Sequence, residues 1–239
     1  MNQTSNVPQH PDRILLAHGS GGELSHELVT SLFVKVFQNP FLNPLDDGAV
    51  LEVAAGKVAF TTDSYVVTPV FFPGGDIGKL AFCGTLNGLS MSGAKPLFRS
   101  AGFIIEEGVP VASLQSIVDS MQKTAMEADV KIVTGDTKVV NRAAADGIFI
   151  NTAGIGLIPE GVKISGSLAR PGDRVILSGS IGDHGVAILS SREGLQFSTT
   201  LQSDCAPLNS LVAAMLGVSR EIRCLRDPTR GGLSSTLNE

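Results

Sequence analysis

Hydrophobic positions along the chain follow a helical period in some segments and form short strand-like runs in others. Residues 23–37 place an apolar side chain at every fourth position, and Val111–Ala128 shows a similar stripe, so each is predicted to be an amphipathic helix. A third helix is predicted over 76–93, directly after the turn sequence FFPGG. Strands are predicted at 58–63, 97–105, 130–134 and Ile148–Ile158. This mixture, with connections of variable length, favours an α+β layer over a doubly wound sheet.

The helix predicted over 76–93 has an unusual face of small residues. Gly84, Gly88 and Ser92 are spaced by four, and an interior glycine costs a helix about 1 kcal/mol relative to alanine. Such a face indicates either tight helix packing or the close approach of another backbone or a ligand. The sequence leaves both alternatives open.

The pattern changes near residue 160, and we predict a domain boundary there. Residues 1–13 are polar and are predicted to be a flexible arm, followed by a domain over 14–160. Within 161–239 we predict a strand at 174–178, helices at 186–192 and 207–217, and the start of a helix at 233–239. Because this second segment is short for an α/β unit, we expect it to be part of a larger domain.

Composition narrows the classes of function. The chain has 239 residues, 43% of them hydrophobic, and a formal net charge of -5, so neither a disordered protein nor one that binds nucleic acid is expected. It has neither a signal peptide nor an apolar run of about 18 residues, which favours a cytoplasmic protein without membrane contact. Cys83, Cys205 and Cys224 are far apart in sequence, which argues against a disulfide framework and a structural zinc site.

Four acidic motifs carry the candidate chemistry: DDGA at 46–49, TTDS at 61–64, TGDTK at 134–138 and RDPTRGG at 226–232. Each is predicted to put its aspartate at a strand end or in a loop, where a turn or capping role is the simplest explanation. If the four converge beside Lys138 and Arg230, they offer the oxygen ligands that Mg2+ prefers in nucleotide sites. A P-loop at 74–80 is excluded because Pro73 and Leu80 replace the required glycine and hydroxyl.

A glycine-rich loop, HGSGG at 18–22, precedes the first predicted helix. Backbone N–H groups at the start of a helix bind phosphate well, so this loop is either a phosphate-binding element or an ordinary turn.

Seven motifs, in this order, carry a resemblance to a known family: LAHGSGG (16–22), FTTDSYVVTPVFFPGG (60–75), IGKLAFCGTLNGLSMSGA (77–94), IVTGDTKVV (132–140), INTAGIG (150–156), GDHG (182–185) and DPTRGG (227–232). Together they resemble HypE, the carbamoyl dehydratase family of [NiFe]-hydrogenase maturation. That family belongs to the PurM-like superfamily of aminoimidazole ribonucleotide synthetase, selenophosphate synthetase and thiamine-monophosphate kinase. The resemblance covers nearly all of the chain from Ile14 onward, but lacks the family's C-terminal third.

The resemblance implies a PurM-like N-terminal domain whose sheet pairs with that of a second copy to form a dimeric β-barrel, with ATP and Mg2+ bound near the interface. It also implies contacts with the carbamoyltransferase HypF and the HypC–HypD iron-carrier complex. The residues matched to ATP or phosphate binding are Gly19, Ser20, Gly21, Gly22, Asp47, Asp63, Asn87, Thr137, Lys138 and Asp227. The matched metal ligands are Asp47, Asp63, Asp136 and Asp227, and the catalytic residues are Lys138 and Asp136.

The implied reaction is ATP-dependent dehydration of an enzyme-bound thiocarboxamide to a thiocyanate, the source of the cyanide ligand of the hydrogenase iron. Two departures bear on it: Gly88 stands where the family has an aspartate, and the sequence ends at Glu239 without the family's Pro-Arg-Ile-Cys. We therefore expect the chain as given not to complete the cycle. The alternative is a catalytically inactive dimeric scaffold of the maturation complex.

Overall fold

The computed structural model describes residues 12–20, 22–45, 49, 51, 53, 56–193, 201–229 and 232–238. Two predicted site residues, Gly21 and Asp47, lie outside this set, as does most of the predicted arm. Arg13, the last residue of that arm, is held in place: it forms a β-bridge with Pro110, and its guanidinium donates to the carbonyl of Gly108 at 2.6 Å.

Four long strands form the central sheet: β1 (Lys57–Tyr65), β4 (Lys95–Glu106), β5 (Lys131–Val140) and β6 (Ile148–Ile158). Their order is β1-β6-β4-β5, so β1 and β5 are the two edges. The β4–β5 pair is parallel and the other two pairs are antiparallel. The short strands β2 (Phe71–Phe72) and β3 (Gly75–Asp76) form a hairpin at the predicted FFPGG turn. This mixed sheet confirms the α+β prediction.

Two helices cover one face of the sheet. Helix α3 (Ile77–Met91) begins where the Asp76 carboxylate accepts the N–H groups of Gly78 and Lys79, a side-chain cap that satisfies two otherwise unpaired donors. Helix α4 (Val111–Ala128) matches its predicted bounds and connects the parallel strands β4 and β5. The side chains between these helices and the sheet form the main core.

The N-terminal helical segment is confirmed over 23–37, with a change of geometry in its middle. It comprises α1 (Glu23–Leu28), a π-helical turn (Val29–Val34) and α2 (Lys35–Phe37). A 3-10 turn (Leu16–Gly19) precedes it, and Gly22 is the residue before its first turn.

The small-residue face of α3 lies against strand β1. A Cβ atom on Gly84 would overlap the Tyr65 hydroxyl and come within 2.9 Å of the tyrosine ring. At Gly88, one helical turn later, a Cβ would meet the Thr61 side chain at 3.5 Å, an ordinary contact. Close approach therefore requires glycine at position 84, whereas position 88 has room for a side chain.

Two strand predictions are wrong. Residues 174–178 form no strand, and Ile176 is 83% exposed, because no described residues pair with this segment. Strand β5 runs to Val140, well beyond the predicted end at 134, because its pairing with β4 continues as far as Glu106. Asp136 consequently lies within a strand and not after its end. Asp63 is likewise inside its strand, two residues before the end of β1.

The described residues of the C-terminal part form three α-helices, α5 (Asp183–Glu193), α6 (Asn209–Val218) and α7 (Gly232–Asn238), close to the predicted positions. A segment over 203–209, here called the docked segment, joins this part to the N-terminal layer. Ser203 donates its N–H to the Pro73 carbonyl at 2.8 Å, and Asn209 donates to the Ala128 carbonyl at 2.9 Å. Within the described residues, no helix is both long and apolar enough to cross a membrane.

Candidate functional site

Three predicted positions come together at the β1 edge of the sheet: Asp63, Gly88 and Asp227, here called the β1 cluster. Gly88 and Asp227 line a cavity of about 280 Å³ between α3 and the loop before α7. Burial raises the pKa of Asp227, and the nearby negative charge of Asp63 raises it further. A cation bound between the two carboxylates would relieve this repulsion.

Both carboxylate oxygens of Asp63 are held by hydrogen bonds. The Tyr65 hydroxyl donates to Oδ2 at 3.0 Å, and the N–H of Ser64 donates to Oδ1 at 3.0 Å. The Asp63 residue remains exposed on the edge strand. Its carboxylate is therefore fixed in orientation and open to a ligand.

The Tyr65 hydroxyl continues into a buried polar network that the sequence analysis did not anticipate. It lies 3.3 Å from Thr85 Oγ1, which lies 2.5 Å from Thr152 Oγ1. Arg99 Nη2 donates to Thr152 at 3.2 Å. A lone arginine in the otherwise apolar run LFRSAGFII was the only signal in the sequence.

Arg99 is a buried cation, only 2% exposed, that stacks on the ring of Phe82 at 4.2 Å. Its guanidinium also donates to the carbonyls of Phe82 and Ala81. Burial lowers the pKa of Arg99 to about 10, so it stays charged at neutral pH.

The remaining predicted residues lie at the β5 edge. Asp136 and Lys138 are exposed, and their side chains make no hydrogen bond or ion pair with any residue that the structure describes. Gly19 packs against this strand so closely that a Cβ there would lie 2.7 Å from the Val139 nitrogen. The hydroxyl of Ser20 donates to the Ala17 carbonyl at 2.9 Å, within the turn that carries Gly19.

Within a single chain, the β1 cluster and the predicted residues at the β5 edge lie far apart. One row across the sheet runs Asp63, Thr152, Ala101, Gly135. Three strand spacings of about 4.8 Å therefore place the β1 and β5 backbones roughly 14 Å apart.

The two groups also lie on opposite faces of the sheet. Asp63 is on the face covered by α3, like Tyr65, whereas the register places Asp136 and Lys138 beside Gly102 and Ile104 on the other face. Thr137, between them in sequence, belongs to the covered face. No three described His, Cys, Asp or Glu residues could hold a metal ion together. Among the described residues, Asp136 thus does not converge with Asp63 and Asp227 within one chain, and the magnesium ligands stay a prediction.

Asn87, a predicted nucleotide contact, is engaged with the docked segment. Its Nδ2 donates to the Ala206 carbonyl at 3.0 Å, and its Oδ1 accepts the N–H of Leu208 at 2.9 Å. One turn earlier on α3, Cys83 lies next to Cys205, whose Sγ is 3.9 Å from the Lys79 carbonyl. This face of α3 binds a chain segment, so the nucleotide role of Asn87 has no support in its contacts.

A larger cavity of about 590 Å³ lies near the carboxyl ends of β4 and β5 and is lined by Arg13, Glu106 and Arg142. The Glu106 carboxylate accepts the N–H groups of Ala143 and Gly147, which lowers its pKa. None of the predicted site residues lines it.

Comparison with known proteins identifies the family. Residues 45–158 match the N-terminal domain of AIR synthase related proteins, and residues 170–239 match the corresponding C-terminal domain. Carbamoyl dehydratase HypE of Escherichia coli (strain K12) is 47% identical over 233 residues, covering 95% of this chain and 69% of the relative. The chain belongs to the HypE family. HypE of Azotobacter vinelandii is 55% identical over 224 residues, which cover 94% of this chain and 66% of that relative.

Solved HypE structures agree with this membership. A HypE crystal structure in complex with ATP superposes with a TM-score of 0.91 at 55% identity, covering 94% of this chain and 67% of that one. HypE in a HypE–HypF complex matches with a TM-score of 0.75 at 54% identity, over 88% of this chain and 68% of that one. The chain thus spans about two thirds of the length of these relatives.

Proposed function

We propose that this chain supplies the nucleotide-binding part of an ATP-dependent carbamoyl dehydratase acting in [NiFe]-hydrogenase maturation. The observation that carries the proposal is the β1 cluster: Asp227 lines a cavity beside α3, and the charge of Asp63 is near enough to raise its pKa, in a chain 55% identical to a HypE solved with ATP. The proposal includes a cytoplasmic location.

The described side chains include the kinds of groups that bind a magnesium nucleotide. Asp63, Asp136 and Asp227 offer carboxylate oxygens, which hard divalent cations prefer, and Lys138 offers an exposed ammonium group for phosphate. Bound Mg2+ would neutralise phosphate charge and orient the nucleotide. The glycine loop beside β5 would add a backbone N–H group at Gly22, the residue before α1, whereas the Ser20 N–H already pairs with the Ala17 carbonyl.

The chemistry requires activation because an amide oxygen is a poor leaving group. The thiocarboxamide oxygen attacks the terminal phosphorus of ATP; the P–O bond to ADP breaks, and the nitrogen loses one proton. The C–O bond then breaks with its electrons leaving on phosphate, which also takes the second N–H proton, and a thiocyanate remains. Lys138 would hold the phosphoryl group in place, and Asp136 beside it is the candidate proton acceptor.

A homodimer would cover the sheet face that carries the β5 group, Asp136 and Lys138. The sheet face opposite α3 is open: Phe60 is 70% exposed and Ile104 42%, both on the same face as Asp136 and Lys138. Pairing two such faces would bury these apolar side chains and direct the β5 group of one copy toward the other copy. Phe60→Lys should shift the chain toward monomer in sedimentation equilibrium, whereas an unchanged mass would contradict a dimer on this face.

Partners follow from the family. A HypE–HypF complex makes the carbamoyltransferase the first candidate, with the HypC–HypD iron carrier as the acceptor of the cyano group. Coprecipitation of the chain with HypF would test the first contact.

Nucleotide binding is tested by thermal unfolding of the chain with ATP, in Mg2+ and in EDTA. Ligand at about 100 times its Kd stabilises by about 2.7 kcal/mol, which is roughly 5–10 °C for a chain of this length. Asp63→Asn and Asp227→Asn should each reduce the Mg-dependent shift. Asp119→Asn, a matched loss of charge on the exposed surface of α4, should leave it unchanged.

Gly88→Asp tests the family carboxylate directly, since position 88 has room for a side chain. The added charge beside Asp63 and Asp227 should lower the Tm without ligand and increase the Mg-ATP shift. If neither the natural chain nor this variant responds to Mg-ATP, the scaffold alternative replaces the enzyme.

A further inference from the structure

The buried network behind Asp63 is an unbroken series of hydrogen bonds from a cation to a carboxylate. It runs from Arg99 through Thr152, Thr85 and Tyr65 to Asp63, with successive separations of 3.2, 2.5, 3.3 and 3.0 Å. Thr85 and Thr152 are each 1% exposed, so water does not compete for these contacts. The three hydroxyl-bearing residues between the charged ends are here called the hydroxyl chain.

The direction of the hydrogen bonds is fixed at the two ends of this series. A guanidinium can only donate and a carboxylate can only accept. Because each hydroxyl has one proton, Tyr65 donates to Asp63, and its oxygen is left to accept from Thr85. At the other end, Thr152 accepts from Arg99, and its own proton has two acceptors within reach, Thr85 Oγ1 at 2.5 Å and the Ala81 carbonyl at 3.1 Å.

We propose that Tyr65 is a positioning residue for Asp63, and that Tyr65 is itself held in place by its buried contact with Thr85. The proposal deepens the proposed function, since it concerns the carboxylate assigned there to the nucleotide and its cation. Without the Tyr65 bond, only the neighbouring Ser64 N–H would restrain a carboxylate that lies on an exposed edge strand. A ligand would then have to order that carboxylate on binding, at a cost in affinity.

The test is a double-mutant cycle of Tyr65→Phe and Asp63→Asn, in which both the Mg-ATP affinity and the free energy of unfolding are measured. Tyr65→Phe keeps the ring and removes only the hydroxyl; it should weaken Mg-ATP binding about tenfold, because hydrogen bonds to charged groups are the stronger ones. In an Asp63→Asn background the same change should weaken binding by less than about twofold. An equal loss in both backgrounds would show that Tyr65 does not act through Asp63 and would overturn the proposal.

The hydroxyl chain is tested one residue further back. Thr85→Val should reduce affinity in the same direction as Tyr65→Phe, and Thr85→Ser, which keeps the hydroxyl, should restore it. Thr124→Val is the matched control: its buried hydroxyl donates to the Ser120 carbonyl on α4, outside the network. Equal affinities for the Val and Ser variants at position 85 would contradict the role of the chain.

The free energy of unfolding, measured together with Mg-ATP affinity, distinguishes a failure of this proposal from a failure of the proposed function. If Asp63→Asn leaves Mg-ATP binding intact, the nucleotide role of Asp63 is wrong, and the positioning role fails with it. A coupling between Tyr65→Phe and Asp63→Asn in the free energy of unfolding without ligand would still show their hydrogen bond. If Asp63→Asn abolishes binding but Tyr65→Phe does not alter it, only the positioning role is refuted.

Discussion

Gly84→Ala should destabilise the chain strongly, although alanine is the better helix former. The added Cβ would overlap the Tyr65 hydroxyl, and the ring carbons 2.9 Å away leave it no space. Helix α3 must then move away from β1, or Tyr65 must rotate and lose its bonds to Asp63 and Thr85.

The magnitude follows from three contributions. Overpacking of a filled core costs about 1–3 kcal/mol, and two lost hydrogen bonds add about 1 kcal/mol each. Replacing an interior helical glycine by alanine returns about 1 kcal/mol. The net expectation is about 2–4 kcal/mol of destabilisation, a decrease in Tm of roughly 4–16 °C for a chain of this size.

Gly88→Ala is the matched control, one turn away on the same face of α3. Its Cβ would make only an ordinary 3.5 Å contact with Thr61, so the helix-propensity gain should prevail and raise Tm by about 2–4 °C. Thermal unfolding followed by circular dichroism, without nucleotide, compares the two. Changes of the same sign at both positions would refute the claim that β1 contact alone distinguishes these glycines.

Two further predictions concern the C-terminal part of the chain. Asn87→Ala removes both side-chain hydrogen bonds to the backbone of Ala206 and Leu208. In limited proteolysis at increasing denaturant concentration, the C-terminal part of this variant should be cleaved at a lower concentration than the N-terminal sheet. Burial lowers the pKa of His184 below its ordinary 6.5, so the unfolded chain binds more protons and stability should fall as pH decreases from 7 to 5. His184→Gln should flatten that dependence; an unchanged pH profile would exclude His184 as its source.

Local sequence patterns predicted most of the helices and strands, but they could not predict which strands pair with each other. The bounds of α4 and β6 follow from apolar periodicity and flanking turns, which are properties of neighbouring residues. The strand at 174–178 was wrong because a strand depends on a paired neighbour, which a local pattern does not reveal. Strand β5 was predicted too short for the same reason: its polar second half is held by pairing with β4.

The candidate site shows the same limit more clearly. Sequence motifs singled out Asp63, Asp136 and Lys138, but gave no sign that Asp63 lies on the opposite face and the opposite edge of the sheet from the other two. They also missed Tyr65, Thr85 and Thr152, whose hydroxyls matter only because α3 packs on β1 and β6.

The open face of the sheet argues for a contact between two chains. Asp136 and Lys138 share this face with Phe60 and Ile104, which are large exposed apolar side chains. Covering the face with a second copy would bury apolar area and bring Asp136 and Lys138 of each copy into the contact, whereas the β1 cluster lies on the opposite face. The nucleotide affinity of the chain should therefore depend on its concentration. Mg-ATP binding that stays equally tight in the Phe60→Lys monomer would place the whole site within one chain.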